Sequence, residues 1–497
     1  MANSLYLIGI GGTGSKVLEA VTQMASVGLF RGIPVRMLFV DADETNGNLT
    51  RSRTTLQECN QVRPALPWLN TTELEDYGLW SPFSNLPGSK RLDNFFDYNN
   101  LKANPATGGE PDDRAKLGYL FDVLYTEAER KASLDVGFRG RPAIGSAIMS
   151  QINLSRLSEK PWSTLIQRIQ AEVGGGKRPS VLLVGSIFGG TGASGLPTIG
   201  RLLINKLAAE KITNVQVGAI FLLPYFQFLP NTEQQEIYAR ADQFGLNTES
   251  ALRYYLGQAS GVFSQVYLMG SPNRSEYSFS TGKEDQRNQS HLVELYGALA
   301  ARHFVEQGNV APGQSEVILM TRQKDKSISW GDIPAIGNAR QLLSQSVRFA
   351  YLWLDSFYPS LKQAASQNTR DFLKANPWYG SFFKAGMFSG NLPGLDASQL
   401  QEAKAVAILC ENLWRWVSDV QRNSSPEQVA LFRCPPLEKL GQGMNGEMLA
   451  ELVVGRTTTQ EQKKEDQVGS IKGWLQSYRA ERGGVRELVQ RLYERCA

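Results

Sequence analysis

The feature that most limits the fold is a pattern that occurs twice: a continuous apolar run, a cluster of glycines, then apolar residues at helical spacing. The first occurrence is Leu5–Ile10 with Gly9-Ile10-Gly11-Gly12-Thr13-Gly14-Ser15, followed by a helix predicted over Ser15–Met24. The second is Ser180–Ile187 with Phe188-Gly189-Gly190-Thr191-Gly192-Ala193-Ser194-Gly195, followed by a helix predicted over Pro197–Ala208. An apolar run without alternation is a strand buried on both faces, as in a parallel sheet covered by helices. Pro34–Asp41 is another such run, so residues 5–41 form a strand-helix-strand unit, parallel and right-handed. The predicted fold class is therefore α/β, with a Rossmann-like parallel sheet.

Val215–Leu223 and Gln265–Met269 supply two further strands, and helices are predicted at Asp112–Leu134, Pro161–Val173, Ser250–Tyr255 and Gln289–Val305. Residues 45–110 are polar and rich in Asn, Pro and aromatic side chains, and are predicted to be an irregular excursion. Beyond about residue 335 the pattern changes to long amphipathic stretches at Ala339–Ser356, Ser398–Val420 and Gln467–Cys496. Single cores stop growing near roughly 250 to 300 residues. The 497 residues are accordingly divided into an α/β domain over 1–310 and a mainly helical domain over 311–497. Leu413, Trp414 and Trp416 are expected in a core or against a partner helix.

Charge narrows the function. The 52 basic and 48 acidic side chains leave a net charge of +4 without a basic block, so nucleic acid is not the expected partner. No stretch reaches the roughly 20 apolar residues of a membrane span, and a cytoplasmic location is expected. Cys59, Cys410, Cys434 and Cys496 show no C-x-x-C spacing and are expected to be reduced structural thiols. His291 and His303 are the only histidines, and both are expected to be structural.

A glycine cluster between strand and helix lets the backbone approach an anion, and the helix start offers N–H groups with no partner inside the helix. Two such loops at one sheet edge would grip a polyphosphate from two sides, helped by the hydroxyls of Thr191 and Ser194.

Gly189-Gly190-Thr191-Gly192-Ala193-Ser194 resembles the G-G-G-T-G-[ST]-G phosphate loop of the tubulin and FtsZ superfamily, with Phe188 in place of its first glycine and Ser194 of its last. Ile10–Ser15 is similar to the FtsZ G-[VI]-G-G-x-G loop, and Val40-Asp41-Ala42-Asp43-Glu44 to its N-T-D-x-Q loop. Leu222–Phe226 is similar to the T-K-P-F segment, and Leu268–Arg274 to the I-P-N turn. The resemblance, to a divergent bacterial tubulin-like branch, covers roughly residues 5 to 335. It implies GTP held by Gly11, Gly12, Thr13, Gly14, Ser15, Asp41, Asp43, Gly189, Gly190, Thr191, Gly192, Ala193 and Ser194. Mg²⁺ would sit near the terminal phosphates, with no protein ligand assigned because this ion keeps several waters. Asn288 would contact the base, or else cap the following helix.

The same resemblance implies head-to-tail self-assembly into filaments, with GTP hydrolysis where subunits meet. Ser329-Trp330-Gly331-Asp332-Ile333-Pro334 falls where the family carries its N-x-D-x-x-D catalytic loop. Asp332 would orient water in the neighbour's site, or else cap a turn. The helical C-terminal region would be the surface for a further protein partner.

Two other classes remain open. Gly9–Arg51 also resembles ubiquitin-activating-like adenylating enzymes, with Asn48-Leu49-Thr50-Arg51 in place of N-L-N-R. Those enzymes use one glycine loop with ATP and commonly a zinc-binding cysteine pattern. The third class is a non-catalytic scaffold stabilised by a nucleotide.

Overall fold

The computed structural model describes residues 3–65, 73–84, 90–96, 113–229, 241–258, 261–278, 280, 282–307, 315–320, 328–333, 337–366, 370–384, 391–424, 429–440, 444, 446–455 and 459–497. The strands are β1 (Leu5–Ile10), β2 (Val35–Val40), β3 (Leu74–Trp80), β4 (Ser180–Ser186), β5 (Gln216–Leu222), β6 (Phe226–Phe228), β7 (Gln265–Met269), β8 (Ser275–Tyr277) and β9 (Glu316–Met320). Seven of them form one parallel sheet in the order β3-β2-β1-β4-β5-β7-β9, and β6 pairs with β8 separately. In register, Leu5 lies beside Val35 on one side and Ser180 on the other. The chain thus starts in the middle of the sheet, winds outward to β3, then returns to the other side of β1 and winds the opposite way. Where that direction reverses, between β1 and β4, the loops after the two strands part and leave a crevice at their carboxyl ends.

The principal helices are α1 (Gly11–Ser26), α2 (Gly47–Val62), α3 (Pro142–Ser150), α4 (Trp162–Gly174), α5 (Gly190–Ala209), α6 (Phe244–Gln258), α7 (Leu292–Gln307), α8 (Ala339–Leu352), α9 (Ala397–Asn423) and α10 (Gly484–Arg495). Successive side chains of a strand point to opposite faces, and the core divides accordingly. Leu5, Leu7, Leu182 and Val184 pack with α1 and α7, whereas Tyr6, Ile8, Leu183 and Val181 pack with α3, α4 and α5. The chain is α/β with a mainly helical C-terminal region, as predicted. Helices α8, α9 and α10 join the same apolar cluster as the α1 face of the sheet, and Trp414 and Trp416 are buried in it. The expected domain boundary at 310/311 lies outside the described residues.

One expectation is corrected. Residues 45–110 are not irregular throughout: α2 and β3 are regular elements within them. Helix α2 escapes notice because its mean composition is polar: its buried face mixes Asn48, Ser52 and Thr55 with a thin apolar stripe of Leu49, Leu56, Cys59 and Val62. Its start is set by Asn46, whose Oδ1 accepts from the Asn48 and Leu49 amides at 3.0 and 3.3 Å, a cap worth ~1 kcal/mol. Strand β3 is an edge strand, Leu-Glu-Asp-Tyr-Gly-Leu-Trp, so it carries no continuous apolar run. The rest of that stretch, 66–72, 85–89 and 97–110, lies outside the described residues. The helix predicted over Asp112–Leu134 divides into Asp113–Leu124 and Glu127–Lys131, because Thr126 and Glu129 form a capping box that starts a new helix.

A buried polar cluster ties α1 to α7. Lys16 and Glu294 pair at 2.5 Å, both essentially without solvent exposure. Glu294 also accepts from the Tyr225 hydroxyl at 2.8 Å and the His291 amide at 3.1 Å, while Lys16 donates to the Gln289 carbonyl at 2.7 Å. His291 is structural: its Nδ1 accepts from the Val293 amide at 3.1 Å, and burial pushes its pKa down to about 3. His303 meets the Tyr267 hydroxyl at 2.8 Å. All four cysteines are buried, and none of them forms a disulfide among the described residues.

Candidate functional site

Both glycine clusters are the first turns of helices rather than loops before them. Helix α1 begins at Gly11 and α5 at Gly190, earlier than the predicted Ser15 and Pro197, and Pro197 lies inside α5. Their first amides therefore open directly on the crevice between β1 and β4. The two helix starts touch. Gly11 has φ of +76°, and a Cβ there would lie 3.3 Å from Thr191 Cβ, so glycine is required both for the conformation and for the approach. Across this contact the Thr191 hydroxyl donates to Asp41 Oδ1 at 3.4 Å.

The result is an open cleft with a cavity volume of about 110 Å³ at the two helix starts. Gly11, Gly12, Thr13, Asp41, Asp43, Gly189, Gly190, Thr191 and Gly192 line it. Gly14, Ser15, Ala193 and Ser194 do not. Gly14 faces the sheet, where a side chain would run into the Val184 carbonyl. The Ser15 hydroxyl turns back to the Gly11 carbonyl at 3.2 Å, and that of Ser194 to the Gly190 carbonyl at 2.8 Å. Hydroxyls on the first turn of a helix bond readily to the carbonyl four residues back, a choice invisible in the residue pattern.

Asn288 does not line the cleft and does not cap α7, which starts at Leu292. Its amide donates to Asn48 Oδ1 at 2.8 Å and its carbonyl accepts from Arg51 at 2.9 Å, so it holds α2 in place. Gln286, two residues earlier, lines the cleft instead, and its Oε1 accepts from Asn46 at 2.8 Å. Asp332 is exposed, is not among the residues lining the cleft, and closes a capping box on the 3₁₀ turn Trp330–Asp332 by accepting from Ser329 at 2.7 and 2.8 Å. Pro334 lies outside the described residues.

Several lining residues carry no site role in the sequence reading. Arg139 is the one cation among the described residues that line the cleft, held at φ +49° with its Nε donating to the Ser133 carbonyl at 3.1 Å. Its signal was the basic, glycine-bearing turn Phe138-Arg-Gly-Arg-Pro142. Phe226, Phe228 and Phe244 form an aromatic wall whose rings lie 5.6 to 6.4 Å apart. No spacing in the sequence joins them, since they come from β6 and α6.

The two acids differ in role. Asp43 is consumed by structure: it accepts from Thr45 at 3.0 and 3.1 Å and from the Lys283 amide at 2.7 Å, fastening the segment 282–286 across the cleft. Asp41 is buried, and its Oδ2 has no hydrogen-bond partner among the described residues. Burial, with Asp43 beside it, pushes its pKa up to about 7. In the unfolded chain it ionises near its ordinary value of 3.8. Between the two values the folded protein keeps a proton that the unfolded chain has lost, so stability falls as pH rises through this window. Asp41→Asn is expected to flatten that slope and raise Tm relative to the parent at pH of about 8. Thermal unfolding across pH checks this; parallel curves for the two proteins would refute it.

Fold and site together define an α/β chain whose seven-stranded parallel sheet presents two glycine-started helices to one cleft at its topological switch point. No protein-family model matches the chain, and no curated protein matches it. Among the described residues no helix is long and apolar enough to cross a membrane.

Proposed function

We propose that the cleft binds GTP with Mg²⁺, as in the tubulin and FtsZ superfamily, and that bound copies associate head-to-tail. The observation that carries this reading is the contact of Gly11 with Thr191, which puts two helix starts side by side at the cleft. A dinucleotide or adenylate site needs one such loop. Two of them offer amides to both sides of a polyphosphate, and the helix dipoles favour its negative charge.

The rest of the cleft fits the remaining parts of a nucleotide. The Gln286 carboxamide, held by Asn46, suits a base edge, and Arg139 adds a positive charge to a wall that otherwise carries Asp41 and Asp43. The unpartnered, buried Asp41 Oδ2 suits a hydrated cation. Mg²⁺, when bound, supplies neutralisation of phosphate charge. It also favours the ionised form of Asp41 and so offsets the penalty that burial imposes.

The cleft is open, leaving a surface that a second copy can cover. An association of unlike faces that does not close extends into a filament. The exposed Asp332 turn is then the candidate to enter the neighbour's site, where positioning of water is the main task in phosphoryl transfer. Asp332→Ala is expected to lower turnover by ~100-fold while GTP binding and assembly persist. Unchanged turnover in assembled protein would remove the assignment.

Sedimentation with GTP, GDP and ATP tests the whole reading. GTP-dependent pelleting supports it. ATP–pyrophosphate exchange activity would replace it with adenylation, and light scattering that stays flat with GTP and Mg²⁺ would leave a scaffold.

A further inference from the structure

A second cavity, of about 840 Å³, lies behind the second glycine cluster, bounded by α3, α5 and α6 and open to solvent. Its surface combines three features. Leu202 and Leu246 give an apolar floor, and Leu246 is 65% exposed there. Arg141 and Arg201 face the cavity with a single carboxylate, Glu129, which lies 3.5 Å from Arg141. The Arg201 guanidinium stands 5.8 Å from the Tyr254 ring centroid, so one edge is both aromatic and cationic. Tyr255 also lines the cavity, is only 8% exposed, and its hydroxyl has no hydrogen-bond partner among the described residues. A buried hydroxyl without a partner carries an unrelieved desolvation penalty, which an acceptor on a ligand would relieve.

We infer that this cavity is a second ligand site, for a small aromatic anion whose ring covers the leucines and whose charged end meets Arg141 and Arg201. The site is mechanically joined to the cleft. Ala193 and Ser194 line the cavity while Gly189–Gly192, in the same first turn of α5, line the cleft. Asn247 of α6 lines the cavity and donates to the carbonyls of Phe188 at 3.1 Å and Gly140 at 3.3 Å, both residues of the cleft wall. An occupant that braces α6 against α5 therefore braces the second glycine cluster.

Anilinonaphthalene sulfonate, an aromatic anion, is the probe, used on the full chain without nucleotide, so the result is independent of the GTP reading. Saturable fluorescence enhancement is expected. Arg201→Ala should weaken it about tenfold by removing the charge partner. Ser146→Trp, at an exposed position on α3 that lines the cavity, should abolish it by filling the space while leaving the circular dichroism unchanged. Hydrogen exchange of the Gly189–Gly192 amides should slow when the probe is bound. Unsaturable enhancement, or binding that neither substitution alters, would overturn the site. Unchanged exchange with the probe bound would overturn its connection to the cleft.

Discussion

Gly190→Leu is expected to weaken GTP binding by at least ~100-fold, the loss that a misplacement of about 1 Å produces at a preorganised site. A Cβ at position 190 would lie 2.8 Å from Phe138 Cβ and 3.2 Å from the Phe138 carbonyl group. Phe138 cannot move aside, because it is buried and packs edge-on against Phe83 with ring centroids 6.2 Å apart. The start of α5 must therefore retreat, taking the Gly190 and Thr191 amides away from those of α1. Calorimetry with GTP reads the loss, and circular dichroism shows that the sheet survives. Undiminished affinity in a folded variant would discard the two-sided phosphate site.

Lys16→Met is expected to destabilise the chain by ~3–5 kcal/mol, because it leaves a carboxylate buried without its counter-charge. Glu294 has no exposed surface. Burial already raises its pKa and lowers that of Lys16, each effect opposed by the partner's charge. With the ammonium gone, the Tyr225 hydroxyl and the His291 amide remain as donors but supply no full charge. Adding Glu294→Leu to the variant should recover part of the loss by removing the stranded charge. Urea unfolding measures both changes. A single variant within about 1 kcal/mol of the parent would show that the pair is not needed for stability.

The core of the sheet was legible before any coordinates. Strands β1, β2, β4 and β5 are central, buried on both faces, and so appear as continuous apolar runs, and β7 is short and apolar although one of its faces is only half-buried. The peripheral elements were not legible, for a physical reason. Strands β3 and β9 lie at the sheet's edges, and Val317 and Leu319 of β9 are exposed, so burial does not impose a pattern on them. Helix α2 is held by a cap and a thin apolar stripe on an otherwise polar segment, which composition conceals.

What the sequence determined by itself was that two glycine clusters each join a strand to a helix, because glycine's freedom and apolar periodicity are properties of short segments. It also determined that Asp41 and Asp43 follow the second strand. Tertiary structure alone decided that the clusters meet, since that depends on β4 pairing with β1 across a separation of 175 residues, as Leu5 does with Ser180. It decided that Gln286 rather than Asn288 reaches the cleft, because Asn288 is drawn to α2 by its own backbone hydrogen bonds. It decided, too, the different fates of Asp41 and Asp43: two residues apart on the chain, one is satisfied by Thr45 and by the amide of the distant Lys283, and the other is left with a buried oxygen that has no partner among the described residues.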